Sequence, residues 1–197
     1  PRLPAVRSAG VAKVAAIGER VGEQLLAKRK KGGQAAAAGP KPLASWDFGI
    51  GTEDQLGQLH LSLIGGAKVV DGALLLDGKR AFARSAPLAK SLRAKTLEAW
   101  VQLSNLDQRG GGVVSVQTRN GHTFDAIVFG ERSSKRWLAG SDNHRRTDGF
   151  NGPKENEAKS GPVCIAIVYH DDGKITGYRN GKPYGRKIGR ASCRERG

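Results

Sequence analysis

From Leu43 onward the chain is a succession of short β-rich runs, cut at close intervals by Asp-Gly and Asn-Gly pairs. No other feature constrains the fold as tightly. The runs are Ala44 to Phe48, Leu59 to Ile64, Ala73 to Leu76, Phe82 to Arg84, Thr96 to Leu103, Gly112 to Arg119, Phe124 to Gly130, Arg136 to Gly140, Val163 to Tyr169 and Lys174 to Arg179. The pairs are Asp77-Gly78, Asn120-Gly121, Asp172-Gly173 and Asn180-Gly181. Each supplies a residue that tolerates the positive φ of a tight hairpin. Many short strands with frequent turns read as an antiparallel β-sandwich or barrel. Alternation supports this: Leu97, Ala99, Val101 and Leu103 share one strand face, and Thr96, Glu98, Trp100 and Gln102 share the other. Val163 to Tyr169 is apolar on both faces, the mark of a central strand. Gly110-Gly111-Gly112 precedes a strand and lacks a following Lys-Ser/Thr, so it reads as a hairpin or bulge rather than a phosphate loop.

Upstream the pattern differs. Val11, Val14, Gly18, Val21 and Leu25 recur at helical steps, which predicts a helix over 10–31 within a basic segment over 1–33. It ends in Lys28-Arg29-Lys30-Lys31-Gly32-Gly33, where cations suit a helix C-terminus and Gly stops it. An Ala/Gly/Pro linker follows over 34–42. The bland reading is the end of a helix from an upstream region, or a spacer. The sharper one is an amphipathic helix on a membrane or nucleic acid, against which its apolar face is thin. The 197 residues suit one domain with a tail, no apolar run approaches a transmembrane span, and no signal peptide is visible. The chain begins at Pro1 and has no Met, as expected of a piece of a larger protein.

The net charge of +15 is spread unevenly. Residues 1–40 hold eight Lys/Arg against two Glu, and residues 188–197 hold three Arg against one Glu. Over half of the excess thus lies outside the β-rich region. A basic tail attracts any polyanion and reads no sequence, so no sequence-specific nucleic-acid partner is expected.

Signals for chemistry are sparse. Cys164 and Cys193 form no disulfide framework or zinc pattern, and Cys164, in an apolar run, reads as a small buried hydrophobe. His60, His122, His144 and His170 lie in unlinked segments. Glu155 and Glu157 are two apart but sit in a Gly/Pro/Lys-rich loop, and Glu98 is alone on its strand, expected to bond a neighbouring Arg or amide. The best binding candidate is Glu131 to Phe150. It sets Trp137 beside Arg132 and Arg136, then Asn143, His144, Arg145 and Arg146 on the next turn. A flat aromatic face beside polar forks suits a sugar ring or an anionic glycan; otherwise Trp137 packs inside with solvated Arg around it. Trp46 and Trp100 are expected in the core.

Trp46-Asp47-Phe48 with Asp54 to Gly57, Gly72-Ala73-Leu74-Leu75-Leu76-Asp77-Gly78 as a hairpin, Thr96-Leu97-Glu98-Ala99-Trp100-Val101, and Val163 to Pro183 stand in this order. Together they resemble the laminin-G-like, concanavalin A-like jelly roll, over about 41–187. The stretches Asn105 to Gly112 and Phe124 to Arg132 are similar to the version in large planctomycete multidomain proteins, where it accompanies a c-type haem domain. No Cys-x-x-Cys-His is present, so no haem is expected here. The resemblance implies an all-β antiparallel sandwich over 43–187, in a periplasmic or extracellular parent protein. It leaves calcium open for the complete domain, with Asp47, Asp54, Asp107 and Asp142 as loop acids. The family continues past its Asn-Gly-Lys-Pro hairpin into strands that close the sandwich. Here residues 188–197 instead look like translated sequencing adapter, which implies that those native strands are missing. The family's hydrolases place paired carboxylates on one strand, and no such strand is found here, so an enzyme is not expected. The resulting expectation is a non-catalytic module that recognises carbohydrate or another extracytoplasmic polymer, with Trp137 exposed. The alternative is a structural domain that docks onto neighbouring domains of its own chain, with an apolar patch and a buried Trp137.

Overall fold

The computed structural model describes residues 41–141 and 148–186. The expected helix over 10–31, most of the linker over 34–42 and the tail over 188–197 lie outside them. The described residues are all-β and contain no helix, hence none long and apolar enough to cross a membrane. The chain divides into two compact units, Pro1–Pro87 and Leu88–Gly197.

In the first unit, β1 (Leu61–Ile64) pairs antiparallel with β4 (Phe82–Ser85), and β2 (Lys68–Val70) with β3 (Ala73–Leu75). The β2–β3 turn is Asp71-Gly72, with φ of 50° and 74°. Both central residues are left-handed, as a two-residue primed turn requires. The hairpin expected at Asp77-Gly78 is therefore one Asp-Gly pair too late. Asp77 serves a different purpose: its Oδ1 accepts the amides of Lys79, Arg80 and Ala81 and gathers the loop after β3. These bonds, that from Ala81 foremost, hold its carboxyl below the usual range.

The run Ala44 to Phe48 does not form the expected strand; it makes a single bridge, Trp46 to Asp54. The Asp54 carboxylate collects amide hydrogens from Ser45, Leu56 and Leu59 at 3.0–3.1 Å, and Trp46 Nε1 donates to the Leu59 carbonyl at 2.8 Å. A carboxylate that satisfies three amides stabilises a curled loop where a ladder would otherwise be needed. Trp46 is consequently half-buried.

The second unit holds eight strands: β5 (Lys95–Val101), β6 (Gly112–Gln117), β7 (Phe124–Phe129), β8 (Trp137–Ser141), β9 (Asp148–Gly149), β10 (Val163–Tyr169), β11 (Ile175–Arg179) and β12 (Lys182–Pro183). They make two four-stranded antiparallel sheets, ordered β12-β11-β10-β5 and β6-β7-β8-β9. One core lies between their inward faces. Leu97, Val163, Ile165, Ile167 and Ile175 come from the first sheet, and Ile127, Phe129, Trp137 and Ala139 from the second. Each large buried side chain among them contributes roughly 1.5–3 kcal/mol by leaving water. Phe129 and Trp137 are direct cross-strand partners with ring centroids 4.8 Å apart, a tilted aromatic pair. The turns at Asn120-Gly121, Asp172-Gly173 and Asn180-Gly181 fall where the sequence puts them, and the ladder from Gly112 to Val114 shifts register as a bulge. β10 is central, paired with β5 on one side and β11 on the other.

The loop between β9 and β10 is pinned by the residue after β12. Tyr184 Oη donates to the Pro153 carbonyl at 2.6 Å and accepts the Trp137 amide at 3.3 Å, while its ring meets Phe150 edge-on. Gly152 lies flat on that ring: a Cβ there would come within 2.4–2.7 Å of it. A Cβ on Gly161, in the same loop, would meet nothing within 4 Å. Gly152→Ala should therefore destabilise the unit by about 1–3 kcal/mol, and Gly161→Ala should change stability by less than about 0.5 kcal/mol. Urea unfolding followed by Trp fluorescence compares the two, and equal losses would contradict the packing at Tyr184.

Candidate functional site

Of the residues expected to bind a ligand, Trp137, Arg132 and Arg136 are described, and these three do not form an open aromatic site. Trp137 opens β8 on its inward side and is 1% exposed, so its ring lies within the core and offers no free face. The expectation of an exposed Trp137 is thereby corrected. Its polar flanks in sequence are loop residues, whereas register with Phe129 turns the indole inward. Arg136 is tied back by Nε to the Gly152 carbonyl at 2.9 Å. Arg132 is exposed. Asn143, His144, Arg145 and Arg146 lie outside the described residues.

What holds Trp137 is an acid that sequence reasoning passed over. Its Nε1 donates to Glu155 Oε2 at 2.8 Å. Arg179, on β11, forks onto both Glu155 oxygens at 2.8 and 2.9 Å and reaches Glu157 Oε2 at 2.7 Å. Glu155 Oε1 also takes the amides of Asn156, Glu157 and Ala158. The side chain of Glu155 is fully buried. Burial alone would raise its pKa; the hydrogen bonds from Arg179, Trp137 and the amides outweigh that and hold it at about 2. The same bond raises the pKa of Arg179. No local signal marks this acid as a hub, because its side-chain partners Trp137 and Arg179 lie 18 and 24 residues away.

A second buried polar group joins the two sheets. Lys95 Nζ meets Asp125 Oδ2 at 2.7 Å and lies 5.4 Å from the centre of the Tyr169 ring, and Tyr169 Oη donates to the Ala126 carbonyl. Of the loop acids considered for calcium, Asp54 is committed to backbone amides, Asp47 Oδ1 accepts the Gly49 amide, and Asp107 pairs with Lys135 at 3.1 Å. Asp142 lies outside the described residues.

Among the described residues, the outer face of β5-β10-β11 carries exposed Thr96, Glu98 and Trp100 and half-buried Cys164, Ala166, Val168 and Tyr178. Its rows follow from register. Thr96 pairs with Val168 and Val168 with Thr176; Glu98 pairs with Ala166 and Ala166 with Tyr178; Trp100 pairs with Cys164. Small side chains of β10 form a floor between larger ones on β5 and β11. The result is a depression of about 280 Å³, lined by Thr96, Glu98, Cys164, Ala166, Val168, Tyr178 and Gly181. Trp100, next to Glu98 on the same face, is 60% exposed and not in the core as expected. Adjacent strands lie about 4.8 Å apart, so Glu98 and Tyr178 face each other across Ala166 at about 10 Å between Cα atoms. Cys164 is half-buried in the floor; burial, and then the charge of Glu98, push its thiol up to about 11, which makes it a poor nucleophile. Glu98 makes no hydrogen bond or ion pair among the described residues, contrary to the expected Arg or amide partner.

Compared with known proteins, the chain matches no family model, no curated protein and no solved structure.

The Glu155 cluster carries a pH signature. Its folded pKa of about 2 lies below the ordinary value of 4.5. The stability it adds is thus fully present above about pH 4.5 and is lost as pH falls toward 2. Glu155→Gln, which leaves Arg179 with Glu157 and a neutral amide, should cost about 3 kcal/mol at neutral pH. The gap between wild type and variant should narrow between about pH 4.5 and 2. Urea melts across that range measure it; a gap constant with pH would contradict the assignment.

Proposed function

We propose that the Leu88–Gly197 unit is part of a non-catalytic recognition module that binds carbohydrate on the outer face of β5-β10-β11. The observation that carries this reading is Trp100, a large aromatic 60% exposed beside a shallow depression. An exposed indole offers a flat apolar face that suits the C–H face of a sugar ring. Tyr178 on the far wall adds a second ring with a hydroxyl, and Thr96 and Glu98 supply polar atoms beside the apolar floor. Binding sites of this composition are mostly apolar with a few convergent polar groups.

The non-catalytic half rests on the carboxylates. Glu155 and Glu157, the pair with hydrolase-like spacing, are both held by Arg179, and Glu155 is buried with its oxygens taken. Glu98 is the one acid lining the depression. A glycosidase needs two carboxyl groups flanking one bond. The two facing sheets are compatible with the laminin-G-like, concanavalin A-like jelly roll that the motifs resemble. In this reading the parent is a planctomycete-type multidomain protein acting outside the cytoplasm.

A second reading has its own support. The depression is mainly apolar and Trp137 is buried, the two features expected of a domain that docks onto neighbouring domains of its own chain. Glycan-array binding of the chain, beside Trp100→Ala, separates the two. The carbohydrate reading expects specific binding that Trp100→Ala weakens by roughly tenfold or more, a loss of about 1.4 kcal/mol or greater. Binding confined to sulfated glycans and fading with salt would trace to the net charge instead. Absence of binding by a well-folded chain favours docking.

A further inference from the structure

Resting on the carbohydrate reading of the same face, we infer that the depression selects sugars bearing a free, positively charged amine. The chain as a whole carries +15, which by itself favours anionic ligands. The face has the opposite character. None of the seven residues lining it is Lys or Arg, and its one charged residue is Glu98. Lys182 of β12 pairs in register with Arg179, whose side chain turns inward to Glu155; alternation puts Lys182 on that same side, away from Tyr178, and Lys95 is paired with Asp125. Arg179 is committed to Glu155 and Glu157, and Lys174 to Asp172.

Glu98 is correspondingly unspent, with no hydrogen bond or ion pair among the described residues. Along β5 it has Trp100 on the same face, about 7 Å away. Across the small Ala166 it has Tyr178. A cation placed over this floor lies between the Glu98 carboxylate and the Tyr178 ring, with Trp100 next along β5. Carboxylate–ammonium bonding and cation–π attraction act on the same charge, and both strengthen where one side is apolar. A neutral hydroxyl gains much less from the carboxylate. An acidic or sulfated sugar placed there is repelled by Glu98. The ligand class is therefore a hexosamine polymer with unacetylated amines.

The test uses the full chain and two defined probes, a glucosamine hexamer with free amines and its fully N-acetylated counterpart. Both are titrated calorimetrically in mildly acidic buffer, where the free amines are charged. The free-amine hexamer should bind the wild type more tightly, and Glu98→Gln should weaken it by roughly tenfold or more and narrow the ratio between the two hexamers. Glu98 is exposed and has no hydrogen bond or ion pair among the described residues, so this variant should melt like the wild type, which a thermal scan checks. Equal affinity of the two hexamers for the wild type, or an unchanged ratio in Glu98→Gln, overturns the inference. If the acetylated hexamer alone binds, the inference fails and the carbohydrate reading stands. If neither hexamer binds, the inference fails, and the glycan array decides the carbohydrate reading separately.

Discussion

The buried carboxylate of Glu155 organises the second unit. It joins three stretches far apart in sequence: Trp137 at the start of β8, Arg179 at the end of β11, and the loop amides of residues 156–158. Each partner lies on a different part of the fold, so the cluster forms when both sheets and the loop are in place together. An ion pair in such a site offsets its desolvation when the remaining lone pairs are also satisfied. Here the fork of Arg179, an indole and three amides do that. The Tyr184 hydroxyl, accepting the Trp137 amide and donating to Pro153, ties the chain beyond β12 to the same corner. The Lys95–Asp125 pair stitches the two sheets together a second time, under the Tyr169 ring.

This internal anchoring leaves the outer face of β5-β10-β11 free of structural duty. The charged and aromatic residues turned inward are occupied: Arg179, Glu155, Trp137, Lys95 and Asp125 all have partners. Those turned outward are not spent in the same way. Trp100 is mostly exposed and Glu98 has no hydrogen bond or ion pair among the described residues, while the strand between them and Tyr178 presents Cys164, Ala166 and Val168. The back of β7 and β8 differs, since Ala126, Val128 and Leu138 there form a buried cluster of their own. Among the described residues of the second unit, the outer face of β5-β10-β11 thus sets an uncovered aromatic beside a floor of small side chains.

Much of this was legible one strand at a time. The all-β character, nine of the ten β-runs and the Asn-Gly and Asp-Gly turns of the second unit follow from composition and period. The face of Trp100 was legible too. Alternation groups it with Thr96, Glu98 and Gln102, opposite the apolar Leu97 and Ala99, and the general preference of Trp for the interior misassigned it. The first hairpin of the first unit also carried its signal, Val69-Val70-Asp71-Gly72-Ala73-Leu74, beside a second Asp-Gly that works as an amide cap. Ala44 to Phe48 failed as a strand because Asp54 satisfies the local amides that a ladder would otherwise take.

The sequence by itself determined the strand periods, most of the turns and which residues of a strand share a face. These depend on nearest neighbours: a period of two and a residue that accepts positive φ. Tertiary structure alone decided that Trp137 is buried, that Glu155 is a charged hub rather than a loop acid, and that Glu98 and Tyr178 face each other across Ala166. Those outcomes require strands and a loop widely separated in sequence to meet, and the desolvation and hydrogen bonding that fix them exist only once the two sheets have closed on a common core.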